Sequence, residues 1–232
     1  MRLQQFLFGI YPYIALSVFF LGSLIRFDRE QYTWKADSSQ LLERKQLCLG
    51  SNLFHIGILA LFAGHFVGLL TPHAAWEAIG VSDEAHQSLA IGVGALFGVL
   101  CMIGGVVLWR RRMFNPRVRA TSRRMDIFIL DWLLVTLGFG LSTIPVSAYH
   151  AFHGDVSAMV LLAEWAQSVV SFRADPGLLD GVGLIYKVHL FFGLTVFLLF
   201  PFTRLVHVWS VPLGYLFRPY QIVRTKLVRY HR

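Results

Sequence analysis

Charge is what this sequence has least of. Only 15% of its 232 residues are Asp, Glu, Lys or Arg, against roughly one-quarter in a soluble domain, which excludes an ordinary water-exposed globule. Cysteine is nearly absent too. Cys48 and Cys101, the two present, lie at opposite ends of different apolar runs, so a disulfide framework is excluded and two free, buried thiols are expected. No internal repeat and no shift of composition marks a second domain, and residues 1–232 are read as a single membrane domain.

What the chain has in abundance is apolar length. Its long runs cover Leu3 to Ile25, Gln46 to Trp76, Gln87 to Trp109, Ile127 to Tyr149 and about Gly181 to Phe217, the last interrupted by Lys187 and Arg204. Each suffices for the ~20 residues that cross a ~30 Å hydrocarbon core. The expected fold class is therefore all-α, an integral membrane bundle of five transmembrane helices over about 3–25, 48–72, 87–109, 127–149 and 182–209. The first run is longer than the apolar region of a signal peptide and lacks a small-residue cleavage site, so it reads as an anchor, with Pro12 as a helix-start proline.

The net charge of +8 raises nucleic acid as a partner, but its distribution gives a different account. Basic residues follow run one (Arg26, Arg29, Lys35, Arg44, Lys45), follow run three (Arg110 to Arg124) and occupy the end of run five and the tail (Arg204, then Arg218 to Arg232). Of 21 basic residues only Arg2, Arg173 and Lys187 remain for the other side. The positive-inside rule then puts the amino terminus outside and a short basic C-terminal tail in the cytoplasm, next to anionic membrane lipid. No folded basic surface for nucleic acid is found. Connecting segments include Arg26 to Lys45, whose Tyr32 and Trp34 suit either a solvated connector or a docking surface, and Val156 to Phe172, which suits a short helix lying on the outer surface. Asp126 and Asp131 are placed in the first turns of helix four, where carboxylates complement the helix dipole.

Histidines stand out against this background. Run two has no Lys, Arg, Asp or Glu between Gln46 and Trp76, yet it contains His55 and His65; run five carries His189 and His207. A polar side chain at membrane depth is costly and usually has a task, although any single one of these is explained as well by a hydrogen bond to a neighbouring carbonyl. Because helix two runs outward and helix five inward, His55 faces His207 on the inner side and His65 faces His189 on the outer side. Two opposed imidazoles on facing helices are what a haem iron needs on its two faces. The spacing is uneven, ten residues against 18, or ~15 Å against ~27 Å at helical rise. Tilt or a kink at Pro201 must absorb the difference. Zinc fits poorly, because the histidines of each helix are too far apart to share an ion. A transporter or channel with a histidine relay remains a competing class.

The segments SNLFHIGILALFAGHFVGLLTPH, FNPRVRAT, AEWAQSVVSF and LFPFTRLVHVWSVPLGYL closely resemble the gamma subunit of the membrane-bound respiratory nitrate reductase, a di-haem cytochrome b, over nearly the whole chain. The resemblance implies two b-type haems, held by His55 with His207 and by His65 with His189. It also implies a bacterial cytoplasmic (inner) membrane location and oxidation of menaquinol or ubiquinol near the outer haem, with protons released outside. Electrons would pass to an iron–sulfur beta subunit and a molybdenum alpha subunit on the cytoplasmic side. The cytochrome subunit of a hydrogenase or formate dehydrogenase is the related alternative. Where family members often carry a lysine beside the quinol pocket, this chain has His86, which is expected either to face the quinol as a proton acceptor or to be a solvated interfacial residue. Arg204, one turn from His207, is a candidate for a haem propionate or for snorkelling to the interface; Arg112, with Arg110 and Arg111, is a further propionate candidate. His73, His150 and His153 read as outer-surface residues.

Overall fold

The computed structural model describes residues 2–33 and 42–210. Trp34 and Lys35, and the tail with Arg218, Arg224, Lys226, Arg229, His231 and Arg232, lie outside them. Among the described residues every regular element is helical. Five helices are long and apolar enough to cross a membrane: α1 (Leu3–Glu30), α2 (Arg44–Leu70), α4 (Asp83–Phe114), α6 (Arg124–Phe152) and a fifth span, Leu184–Phe202. In the fifth span the α-helix proper, α8, is Leu184–Leu199. Three shorter helices connect them, α3 (His73–Ala78), α5 (Pro116–Ala120) and α7 (Ser157–Val170).

In space the spans follow the order α1, α8, α6, α4, α2, and α7 packs against α2. Small residues decide the tightest seam. A Cβ on Gly57 would lie 2.6 Å from Cys101 Cβ, and one on Gly104 would collide with Phe54 N, so α2 and α4 approach backbone to backbone. With no hydrophobic drive between helices in lipid, such close packing is what holds them. Gly98 and Gly105 turn the other flank of α4 towards Leu141 and Leu134 of α6.

Several boundaries differ from the sequence reading. Helix one begins before Pro12, which is therefore internal; a π turn at Phe6–Ile10 precedes it and Tyr11 N–H bonds back to Phe6 O, a local rearrangement of the kind that accommodates proline. Helix four starts at Arg124, so Asp126 but not Asp131 is in its first turn. Asp131 instead accepts a hydrogen bond from Trp109 Nε1 on α4 at 2.7 Å.

The largest departure is in helix five. The expected α-helix over about 182–209 stops at Leu199 and gives way to 3-10 turns at Phe200–Phe202 and Arg204–Ser210, with Thr203 extended between them. Pro201 removes a donor here, and α1 stabilises the result. A Cβ on Gly22 would sit 2.8 Å from Pro201 Cγ. One turn later, Arg26 Nη1 donates to Pro201 O at 2.7 Å and Thr203 O at 2.9 Å. These carbonyls lack helical partners because of the break.

The short helix α7 does more than lie on a surface. Trp165 is 4% exposed and donates to Phe8 O at 3.0 Å, while Gln167 Nε2 donates to Leu69 O and Thr71 O at 3.1 and 3.2 Å. α7 thereby ties the ends of α1 and α2 together over a core of Phe8, Trp165, Val169, Leu179, Val182 and Tyr186.

Candidate haem and quinol sites

The four histidines of runs two and five meet in two pairs, although His207 lies beyond the fifth span on the 3-10 segment. The ring centres of His55 and His207 are 6.1 Å apart and those of His65 and His189 are 6.0 Å apart. The pairing matches the one anticipated from the antiparallel runs, but the reason for the inner pair is different. His189 and His207 are not on one face of a continuous helix, because the break at Phe200–Thr203 redirects the chain; the uneven spacing of ten and 18 residues thus ceases to be a conflict.

Each imidazole is oriented by a backbone carbonyl. Nδ1 lies 2.7 Å from Ser51 O in His55, 2.7 Å from Leu61 O in His65, 2.6 Å from Arg204 O in His207 and 3.1 Å from Thr136 O in His189. A carbonyl only accepts, so the proton must be on Nδ1, and every Nε2 keeps a lone pair to offer a metal. A metal–imidazole bond of about 2 Å, with the ring centre roughly 1 Å behind the nitrogen, puts opposed ligand rings about 6 Å apart across one ion. Both pairs have that separation, and their chemistry fits a bis-imidazole haem. Glycine makes room for the outer pair: a Cβ on Gly140 would lie 2.8 Å from His189 Cε1. Among the described residues no group of three His, Cys, Asp or Glu side chains is placed to hold a metal ion.

From His65 and His189 a cavity of about 350 Å³ runs to Trp76 and His86 at the outer end of α4, with Gln87, Ala158, Leu162 and Tyr186 on its walls. His86 is 7% exposed and stacks on Trp76 with ring centres 4.4 Å apart. It is thus a buried residue of the cavity wall rather than a solvated one. Sequence reasoning missed Trp76, Gln87 and Tyr186, which come to the cavity from three separate elements.

At the inner end, Arg112 pairs with Asp126 at 3.4 Å, a partner the propionate expectation had not given it. Arg204 and Arg111 are both near enough for their charge to act on Arg112, so three guanidiniums share this region with the Asp126 carboxylate. Arg111 is buried and donates to Leu42 O, whereas Arg110 is exposed. Outside the spans, His73 bridges Glu77 and Asp83 at 3.2 and 3.0 Å, and His150 contacts Asp155 at 2.7 Å.

Comparison with known proteins converges on one family. The family described as "Nitrate reductase gamma subunit" matches residues 4–226. Respiratory nitrate reductase 1 gamma chain of Escherichia coli (strain K12) is 54% identical over 225 residues, covering 97% of this chain and 98% of that protein. Respiratory nitrate reductase 2 gamma chain of the same strain is 51% identical over 227 residues, with coverages of 97% and 98%. The nitrate reductase gamma chain of Bacillus subtilis (strain 168) is 39% identical over 222 residues, covering 96% and 98%. These matches favour the nitrate reductase reading over a hydrogenase or formate dehydrogenase subunit and over a relay transporter. The chain belongs to the nitrate reductase gamma subunit family, as the membrane subunit of a respiratory oxidoreductase complex.

Proposed function

We propose that this subunit oxidises quinol near the outer membrane face and delivers the electrons inward to the other nitrate reductase subunits. The observation that carries the reading is the pair of opposed, Nδ1-protonated histidine couples at 6.0 and 6.1 Å, one bordering a mostly apolar cavity. His65 with His189 would hold the outer b-type haem and His55 with His207 the inner one. A haem iron held by imidazole on both faces is closed to exogenous ligands and carries single electrons. Two such groups across the bilayer define a direction.

The chain's own residues supply the rest. Carbonyls of Ser51, Leu61, Thr136 and Arg204 fix the tautomers, and hydrogen bonding of this kind also raises ligand basicity. Trp165 and Gln167 of α7 tie that helix to the ends of the first two spans, and this holds Ala158 and Leu162 in the cavity wall. His86, stacked on Trp76 beside that wall, accepts a proton from menaquinol or ubiquinol, and the proton leaves on the outer side. Arg204 and Arg112 supply positive charge for the propionates of the inner haem. The basic segments then lie on the cytoplasmic side, where an iron–sulfur beta subunit and a molybdenum alpha subunit dock.

A reduced-minus-oxidised spectrum of the assembled complex is expected to show a b-type alpha band with two components, and its absence would sink the reading. His86→Ala is expected to keep both components while slowing menadiol oxidation by about 10²-fold or more, the typical contribution of a positioned proton acceptor. Unchanged turnover would remove His86 from the chemistry.

A further inference from the structure

We infer that Gln87 and Trp76 read the oxidation state of the ligand in the outer cavity, Gln87 Oε1 accepting a hydrogen bond from a ring hydroxyl and Trp76 Nε1 donating one to a ligand oxygen. The inference rests on the quinol-oxidising reading above and names the residues that would recognise the quinol.

Gln87 is 5% exposed. Its Nε2 lies 3.2 Å from Ser147 O, and because a carbonyl only accepts, the amide nitrogen must point there. The orientation of the amide is thereby fixed by chemistry, and Oε1 is the remaining end. That oxygen is buried without a hydrogen-bond partner. A buried acceptor left unpaired is destabilising, and a bound donor removes that penalty.

Trp76 Nε1 is likewise buried and unpartnered, and an indole nitrogen only donates. Gln87 and Trp76 both line the cavity that reaches His65 and His189. The wall behind Gln87 is itself tied down, since Ser147 Oγ and Tyr186 OH are 2.8 Å apart. An unpaired acceptor on one lining residue and an unpaired donor on another, in a cavity whose lining is mostly apolar, match a flat aromatic ring carrying a hydroxyl that reaches both atoms as the two side chains turn towards it.

The two atoms do not treat the redox partners alike. A quinol has a hydroxyl proton to give to Gln87 Oε1, whereas the quinone product has only acceptors and leaves that oxygen unpaired again. Trp76 Nε1 serves either form. Gln87 thus favours the reduced substrate over the oxidised product, which helps the product leave.

The test uses the whole complex in membranes, with menadiol as donor and menadione as competitive inhibitor, and the two-component haem spectrum as the check on assembly. Gln87→Met removes the acceptor at similar volume; it is expected to raise KM for menadiol about tenfold, as for a lost interaction of about 1.4 kcal/mol, and to leave the inhibition constant of menadione unchanged. Equal changes in both constants would mean a purely structural role and overturn the assignment, as would no change in either. Trp76→Phe keeps the ring against His86 but loses the donor, and it is expected to weaken menadiol and menadione together. If Gln87→Met does not assemble, this second variant decides: affinity unchanged for both ligands overturns the proposal. Failure of menadiol to reduce the haems of the unaltered complex would instead refute the quinol-oxidising reading itself.

Discussion

The outer and inner histidine pairs have nearly the same ring separation but are built by different means. In the outer pair both rings stand on continuous α-helices, and His189 is steadied by Thr136 O of α6 and given room by Gly140. In the inner pair only His55 does. His207 stands on a 3-10 segment beyond a broken helix, held in place by Arg26 of α1 through Pro201 O and Thr203 O. Helix packing sets the first pair, while the second depends on hydrogen bonds from a cation of α1. A perturbation aimed at one construction should therefore spare the other.

The strongest way to break the comparison is to delete a ligand from each pair. His65→Ala and His55→Ala are each expected to abolish one component of the haem spectrum and leave its counterpart, read by low-temperature optical or electron paramagnetic resonance spectroscopy of the complex. Loss of both components in either variant would show that the two sites are not independent. Gly140→Val is a subtler probe of the outer pair. Its side chain would overlap the His189 ring, at a cost of about 1–3 kcal/mol for an overpacked site, and it should displace the outer component alone.

Arg26→Ala tests the inner construction. Removing charged hydrogen bonds to two carbonyls costs on the order of 1.5–3 kcal/mol per bond, and the inner component should shift or partly disappear while the outer one stays. A shift of the outer signal instead would refute the clasp between α1 and the broken helix. The smallest effect lies outside both pairs. Asp155 has its carboxyl held down to about 2 by hydrogen bonds from the Ser157 side chain and backbone N–H, with His150 next. A depressed carboxyl stabilises the fold above its ordinary range near 4, and this contribution fades as pH falls towards 2. The protection factors of the amides at the start of α7, taken relative to the intrinsic exchange rate at each pH, are expected to fall on acidification in the native chain, and Asp155→Ala should abolish that pH dependence.

Much of the site was legible because it depends on local or pairwise facts. Four histidines on two apolar runs of opposite direction can pair in one way only, inner with inner and outer with outer. The residues that went unread are those with distant partners. Asp131 looked like a helix-start carboxylate until α6 was seen to begin at Arg124, which leaves it bonded to Trp109. Arg112 was legible as a cation beside the inner histidines, but its ion pair with Asp126 from the next span was not. Trp76 and Gln87 carried no motif, and what distinguishes them is one buried polar atom each, Nε1 and Oε1, without a hydrogen-bond partner.

The sequence by itself determined the class of the molecule and the identity of the four histidines of runs two and five, because apolar length and helix direction are properties of the chain read in order. The tertiary structure decided where the fifth helix ends. Whether the carbonyls of Pro201 and Thr203 stay in a helix or leave it depends on Arg26 and Gly22, some 175 residues earlier, and no local propensity encodes a partner at that distance.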